Sequence, residues 1–242
     1  MTRISHIVTN GCSFTEGNGL ANKEESWPHR LAQRLGVDVV NIGKGGSAND
    51  TILRRTYEYF YEDIHNNNHP LYVIMFSAIT RKERWFEGKK EYGTYDTFQK
   101  DPGSVDYVLN YNMDYFYKRT MLYKSALRNL FQLHDVPYMF SLAIETLNGT
   151  EKDSMYEKMS KQAPNHFSIL CGDKNDIGDL AHITEGSPLT PCGHWEREGH
   201  TAVAHHLYTK IYENYKNIEI APSKNYLNKE TYVNAFEPKV RL

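Results

Sequence analysis

The chain has 242 residues, 40% of them hydrophobic and 24% charged, which is enough for one sizeable core and too mixed for a collagenous, disordered or coiled-coil protein. Its best apolar run, Leu71 to Ile79, has nine residues and contains a serine, about half of what a membrane-spanning helix needs. A formal net charge of −2, from 28 Lys plus Arg against 30 Asp plus Glu, supplies no global field to hold a polyanion, so nucleic acid is not expected as the main partner.

No secretory signal is readable at the start, where Arg3 and His6 are followed by Asn10, Gly11 and Ser13 instead of an apolar core. A soluble protein in a cytoplasmic or virion-associated setting is expected. Three cysteines, Cys12, Cys171 and Cys192, have no CxxC spacing, which argues against a disulfide framework and a zinc knuckle. The 18 tyrosines, 10 phenylalanines and 3 tryptophans suit half-buried packing faces first and sugar-stacking surfaces second.

Ser5 to Thr9 is β-prone and runs into the turn Asn10-Gly11-Cys12-Ser13. A helix follows, with Ser26 as its cap, Pro28 in its first turn, Trp27, Leu31 and Leu35 every four residues, and Gly36 at its end. Val37 to Asn41 reads as a second strand. Leu53, Tyr57, Phe60 and Ile64 give a long helix one apolar face, broken by Asn66 to Pro70. Leu71 to Phe76 is a continuous apolar run of the sort that a parallel sheet buries on both faces.

Residues 82–106 are polar, aromatic and punctuated by Gly88, Gly93 and Asp101-Pro102-Gly103, which predicts an insertion over the surface, a candidate lid, and not core. The spacing from Leu109 to Leu130 predicts a helix of about six turns, and Tyr138 to Ala143 a fourth strand. Residues 145–193 lack periodicity and read as a long variable loop with short helices. His200, Ala204, Leu207 and Ile211 mark the last helix, and residues 216–242, with Pro222 and Pro238, form a tail. The main domain is thus expected over residues 1–215. Alternation of strands and helices implies an α/β domain with a mainly parallel sheet between two helix layers, its site at the carboxyl ends of the strands.

Three unusual loops fall at such ends. The first, GCSFTEG, presents the Ser13 hydroxyl and backbone N–H at a strand-to-helix turn, and makes Ser13 a candidate nucleophile. The second, NIGKGGSAND, lets backbone approach a ligand through Gly43, Gly45 and Gly46, with Gly46 the best oxyanion donor. The third runs from Ser77 to Arg81. A base is offered by HWEREGH, where His194 lies ahead of the last helix, while His200, His205 and His206 take helical positions that ordinarily mean packing or solvent. GxxxxGK[ST] and HExxH spacings are missing, so neither a nucleotide cradle nor a metal is expected, and no cofactor.

In order and spacing, GCSFTEG resembles the GDSxTxG block, NIGKGGSAND the second block and GHWEREGH the final histidine block of the SGNH, or GDSL-like, hydrolase superfamily. The resemblance implies a flavodoxin-like three-layer α/β/α sandwich and hydrolysis of esters, commonly acetyl groups on carbohydrates or lipid and thioester acyl chains. It implies Ser13 as nucleophile with its own N–H in the oxyanion hole, Gly46 as second donor and His194 as base. The acidic position of the first block is Cys12 here, and the aspartate that precedes the family's histidine falls on Pro191 or Cys192. The asparagine expected after the third strand has no counterpart between Ser77 and Trp85, leaving Thr80, Ser77 or Arg81 as substitutes.

Losing an oxyanion donor costs about 3 to 4 kcal/mol, and losing the acid that orients the histidine roughly 10⁴ in turnover. Asp173, Asp176, Asp179, Glu185 or a backbone carbonyl are the candidate compensations. Asn49, Thr80, Arg81 and Trp195 are candidates for substrate contact, Arg81 for a carboxylate or phosphate and Trp195, with Trp85, for a sugar groove. The leading expectation is a serine esterase acting on a small acyl ester or glycan. The alternative is a binding or structural protein, for example a virion component, that keeps the scaffold without the chemistry. The sequence sets no oligomeric state.

Overall fold

The computed structural model describes residues 2–63, 69–88, 91–95, 103, 113–143, 174–215 and 218–220. In chain order these form β1 (Thr2–Ile4), β2 (His6–Asn10), α1 (Ser13–Glu16), a 3-10 turn (Lys23–Glu25), α2 (Trp27–Leu35), β3 (Asp38–Asn41), α3 (Asn49–Asp63) and β4 (Pro70–Phe76). Then come β5 (Lys82–Phe86), β6 (Glu91–Tyr95), α4 (Met113–Leu133), β7 (Tyr138–Leu142), β8 (Asp176–Asp179), α5 (Ala181–Thr184), α6 (Arg197–Asn214) and β9 (Ile218–Ile220).

Five strands make one parallel sheet in the order β3-β2-β4-β7-β8, the 2-1-3-4-5 order of doubly wound flavodoxin-like sheets. The central strand β4 is buried throughout, and its side chains alternate between two cores as the pleat requires. Leu71, Val73 and Met75 pack with Trp27, Leu31 and Leu35 of α2 and Val203, Leu207 and Ile211 of α6. Tyr72, Ile74 and Phe76 pack with Ile52 and Phe60 of α3 and Leu127 and Phe131 of α4. The three layers expected from the alternation of elements are therefore present.

The helix at Trp27–Leu35 ends on Gly36 at φ +70°, as its spacing predicts. Its start differs. The Ser26 hydroxyl makes no cap bond to the helix and meets His29 Nδ1 at 3.0 Å, while the Trp27 N–H donates to His200 Nδ1 at 3.2 Å. A buried imidazole from α6 thus satisfies one of the first-turn amides that have no partner within the helix.

Within the expected variable loop, residues 144–173 lie outside the described residues, but Asp176–Asp179 is a fifth strand that the sequence does not announce. It sits at the sheet edge with one apolar residue, Ile177, packed on the core, so it has no run or alternation to read. The first half of the expected insertion is an antiparallel hairpin, β5 against β6. Of the tail, Ile218–Ile220 pairs in parallel with β1, and residues 221–242 lie outside the described residues.

Candidate active site

In this strand order the connections run to β3 on one side of β2 and to β4 on the other, so the order reverses between β2 and β4, the position where such sheets open a crevice at their carboxyl ends. The loop after β2 carries Cys12, buried and free, whose carbonyl accepts the N–H groups of Thr15 and Glu16 to start α1. Ser13 opens that helix and is 8% exposed. Gly11 cannot be larger, because a Cβ there would lie 2.8 Å from the Met75 carbonyl of β4 and closer still to Thr15. The turn is thereby pressed against the central strand.

The second loop is tied to the first. Glu16 Oε2 accepts the Gly45 N–H at 2.6 Å, and Asn41 Nδ2 donates to the Thr15 carbonyl at 2.8 Å. Gly46 sits at φ +75°, and its carbonyl accepts from Thr94 Oγ1 of the hairpin at 2.8 Å. Among the described residues neither the Ser13 nor the Gly46 N–H donates to a protein acceptor.

The third loop is braced from below. Asn49 is fully buried, accepts the Ser77 N–H at 2.7 Å and donates to the Ser77 carbonyl and Thr120 Oγ1, each at 3.2 Å. Its amide therefore holds the end of β4 and is engaged inside the fold. Arg119, buried on α4, donates to the carbonyls of Ile79 and Arg81. Thr80 and Arg81 are half-buried, and Arg81 Nη1 donates to Ser77 Oγ at 3.0 Å.

His194 reaches this end of the sheet on the loop before α6. Its ring centroid is 5.0 Å from that of Phe14, the residue after Ser13, and Phe14 in turn meets Trp195 at 4.4 Å. Trp195 is buried and packs edge-on to His200 at 5.7 Å. Among the described residues no hydrogen bond joins Ser13 to His194. The Sγ of Cys192 lies 3.2 Å from His194 Nδ1 and 3.1 Å from Thr190 Oγ1. Thr190 Oγ1 also accepts the His194 N–H at 3.1 Å and donates to its carbonyl at 3.2 Å.

Burial pushes the His194 imidazole below its ordinary pKa, a hydrogen bond to the Cys192 backbone opposes the shift, and the charges of Arg81 and Lys23 add to it. His200 is driven further, to about 4, by burial and by the charges of Arg30, His194 and Lys23. With Nδ1 accepting the Trp27 N–H, it is a neutral packing residue. Of the candidate acids, Asp176 is held by Lys124 at 2.7 Å, and Asp173 lies outside the described residues. Among the described residues no group of three or more His, Cys, Asp or Glu is arranged to hold a metal, and no helix is long and apolar enough to cross a membrane.

The sequence alone missed Cys192 as the neighbour of Nδ1, although its place two residues before His194 was visible. It also missed Glu16 as the clamp on Gly45 and Thr94 as the clamp on Gly46, pairs 29 and 48 residues apart.

Residues 15–147 match the model of a family described as a family of unknown function, DUF6071. No curated protein sequence matches the chain. Among solved structures, a protein of the G-D-S-L family from Desulfitobacterium hafniense DCB-2 is similar at a TM-score of 0.51 and 16% identity, covering 85% of this chain and 99% of its own. The psychrotrophic esterase EstA from Pseudoalteromonas sp. has a TM-score of 0.51 and 14% identity, with 88% of this chain and 100% of its own covered. A family two carbohydrate esterase from Clostridium thermocellum has a TM-score of 0.52 and 14% identity, with 88% of this chain and 64% of its own covered. The fold is that of the SGNH, or GDSL-like, hydrolases, in a divergent form.

Proposed function

The chain belongs to the family DUF6071, whose description assigns no activity, and from its own residues we propose that it is a serine esterase that removes a small acyl group, such as acetyl, from a carbohydrate. The observation that supports the reading is the tilted contact of the Phe14 and His194 rings, 5.0 Å between centroids, which sets the loop of the candidate nucleophile beside the candidate base.

In this reading Ser13 Oγ attacks the acyl carbonyl as His194 Nε2 takes its proton, and the oxyanion that forms is held by the N–H groups of Ser13 and Gly46. The tetrahedral adduct collapses to an acyl-serine, and His194 returns the proton to the departing sugar oxygen. Water, deprotonated by the same imidazole, then attacks the acyl-serine, and the imidazolium returns that proton to Ser13 Oγ as the Oγ–C bond breaks and the acid leaves. The Arg81 guanidinium, beside Ser77 at the end of β4, takes the place of the absent asparagine as a further donor to substrate. Thr80 and Trp195 border the same end. The depressed His194 pKa keeps the base neutral at pH 7, as general-base catalysis needs.

The test is hydrolysis of an aryl acetate and of an acetylated oligosaccharide by the full chain and by Ser13→Ala and His194→Ala. Turnover by the parent that falls at least about 10³-fold in each variant supports the reading. Turnover that persists in Ser13→Ala overturns it.

A further inference from the structure

We propose that the cleft between the Gly45–Ser47 turn, α3 and the β5–β6 hairpin binds an acidic sugar, a ring bearing a carboxylate or phosphate, as the part of the substrate next to the acyl group. The proposal deepens the esterase reading and rests on it for the chemistry, though not for the binding.

The cleft has a volume of about 210 Å³, below the roughly 300–1,000 Å³ of drug-sized sites and suited to one ring. Its charged wall is formed by Lys44, Arg54, Arg55 and Glu83. Arg54 is balanced, with Nη2 at 2.7 Å from Glu83 Oε1 and Nη1 at 2.8 Å from Glu58 Oε1. The other two cations are not. Lys44 is exposed, and neither it nor Arg55 makes an ion pair among the described residues.

Arg55 donates through Nε and Nη2 to the Ile42 carbonyl at 3.2 and 2.9 Å, which fixes the guanidinium plane and leaves its charge without a counter-charge. Two such cations in a concave site focus a positive potential and select an anion, although the whole chain is slightly acidic. Glu16, the acid on the far side of the turn, is engaged by the Gly45 N–H.

The uncharged wall points to a sugar as the bearer of that anion. Tyr92 is 47% exposed, lies with its ring 4.1 Å from the Arg54 guanidinium carbon and meets Trp85, 48% exposed, at 5.0 Å between centroids. The guanidinium covers one face of the Tyr92 ring and the indole meets it edge-on, which orders an exposed aromatic surface of the kind that packs against a sugar. Thr51, 7% exposed, adds a hydroxyl with no hydrogen-bond partner, a deficit that a ligand hydroxyl can make good. The Thr94 bond to the Gly46 carbonyl closes the hairpin onto the turn, so the cleft opens beside the candidate oxyanion donor.

The test is calorimetric titration of the full-length Ser13→Ala protein, in which binding is read without turnover. The probes are a galacturonate oligomer, a sugar phosphate, a neutral xylo-oligosaccharide and inorganic phosphate. The expected result is that one of the two acidic sugars binds at least about tenfold tighter than the neutral one and than phosphate, and loses about tenfold when Lys44→Gln is added. Tyr92→Ala should weaken the sugar similarly, and salt should weaken it further.

Equal affinity for neutral and acidic sugars, phosphate binding as tightly as the sugar phosphate, or affinity unchanged by both substitutions would overturn the proposal. Labelling of parent Ser13 by a fluorophosphonate, measured alongside, separates the two readings. Labelling without acidic-sugar binding removes the cleft proposal alone, and binding without labelling removes the esterase alone.

Discussion

The sulfur of Cys192 lies 3.2 Å from Nδ1 of His194, where a histidine base ordinarily meets a carboxylate. An S–H donated to Nδ1 would place the imidazole proton on Nε2 and cancel the base. Sulfur or the Cys192 carbonyl accepting from Nδ1–H leaves the Nε2 lone pair free. Sulfur is a weak acceptor, so Cys192→Asp should raise kcat/KM by at least about tenfold and move the acid limb of its pH profile upward, because a carboxylate stabilises the imidazolium. Cys192→Ala keeps the carbonyl and should lower kcat/KM by about tenfold or less. A profile unmoved by the aspartate would show that Nδ1 is not oriented from this position.

The direction of the His194 shift fixes a second outcome. A base held below its ordinary value is already neutral at pH 7, so kcat/KM should reach its plateau below neutrality and fall only as pH drops through the lowered pKa. Arg81 is one of the charges that lowers it. Arg81→Met should therefore move the acid limb to higher pH while also raising KM for substrate, and rate profiles from pH 4 to 8 read both. An acid limb unmoved by Arg81→Met would place its charge out of reach of the base.

His200 carries a stability prediction. Its folded-state pKa, near 4, lies below its value in the unfolded chain, so unfolding takes up a proton between those limits. The stabilising contribution is complete above about pH 6.5 and is lost as pH falls toward 4, to an extent of about 3 kcal/mol. His200→Leu should remove that dependence while costing about 1 to 3 kcal/mol at pH 7, since the Trp27 N–H loses its acceptor. Urea unfolding at pH 4.5 and 7.5 for both proteins gives the comparison.

Gly45 tests the coupling of the first two loops. A Cβ there would lie 2.7 Å from Asn18 Nδ2 and 2.8 Å from Glu16 Oε2, so Gly45→Ala must push aside the carboxylate that accepts the Gly45 N–H. The displaced groups are side-chain ends near the surface. Stability should change by about 1 kcal/mol or less, while ester turnover should fall tenfold or more as the Gly46 N–H moves.

Periodicity made most of the fold legible. Trp27, Leu31 and Leu35 announce α2, and the unbroken run from Leu71 announces β4, because each places all its apolar side chains on buried faces. Asp176–Asp179 was illegible for the opposite reason, since an edge strand with one packed residue leaves no pattern. In the site, Ser13, Gly46 and His194 were visible as motif residues. Their neighbours were not, because the contacts of Phe14 with His194 and of Thr94 with Gly46 arise only when distant segments meet. Asn49 stood out in the second motif as a substrate contact, yet its amide braces Ser77 within the core.

The most direct measurement is mass mapping of the full chain after reaction with a fluorophosphonate at pH 7.5. One phosphonyl adduct on Ser13, formed at a rate that His194→Ala lowers at least about 10³-fold, is the predicted result. An unmodified Ser13 in folded protein, or an adduct formed equally fast without His194, would contradict an active serine at this end of the sheet.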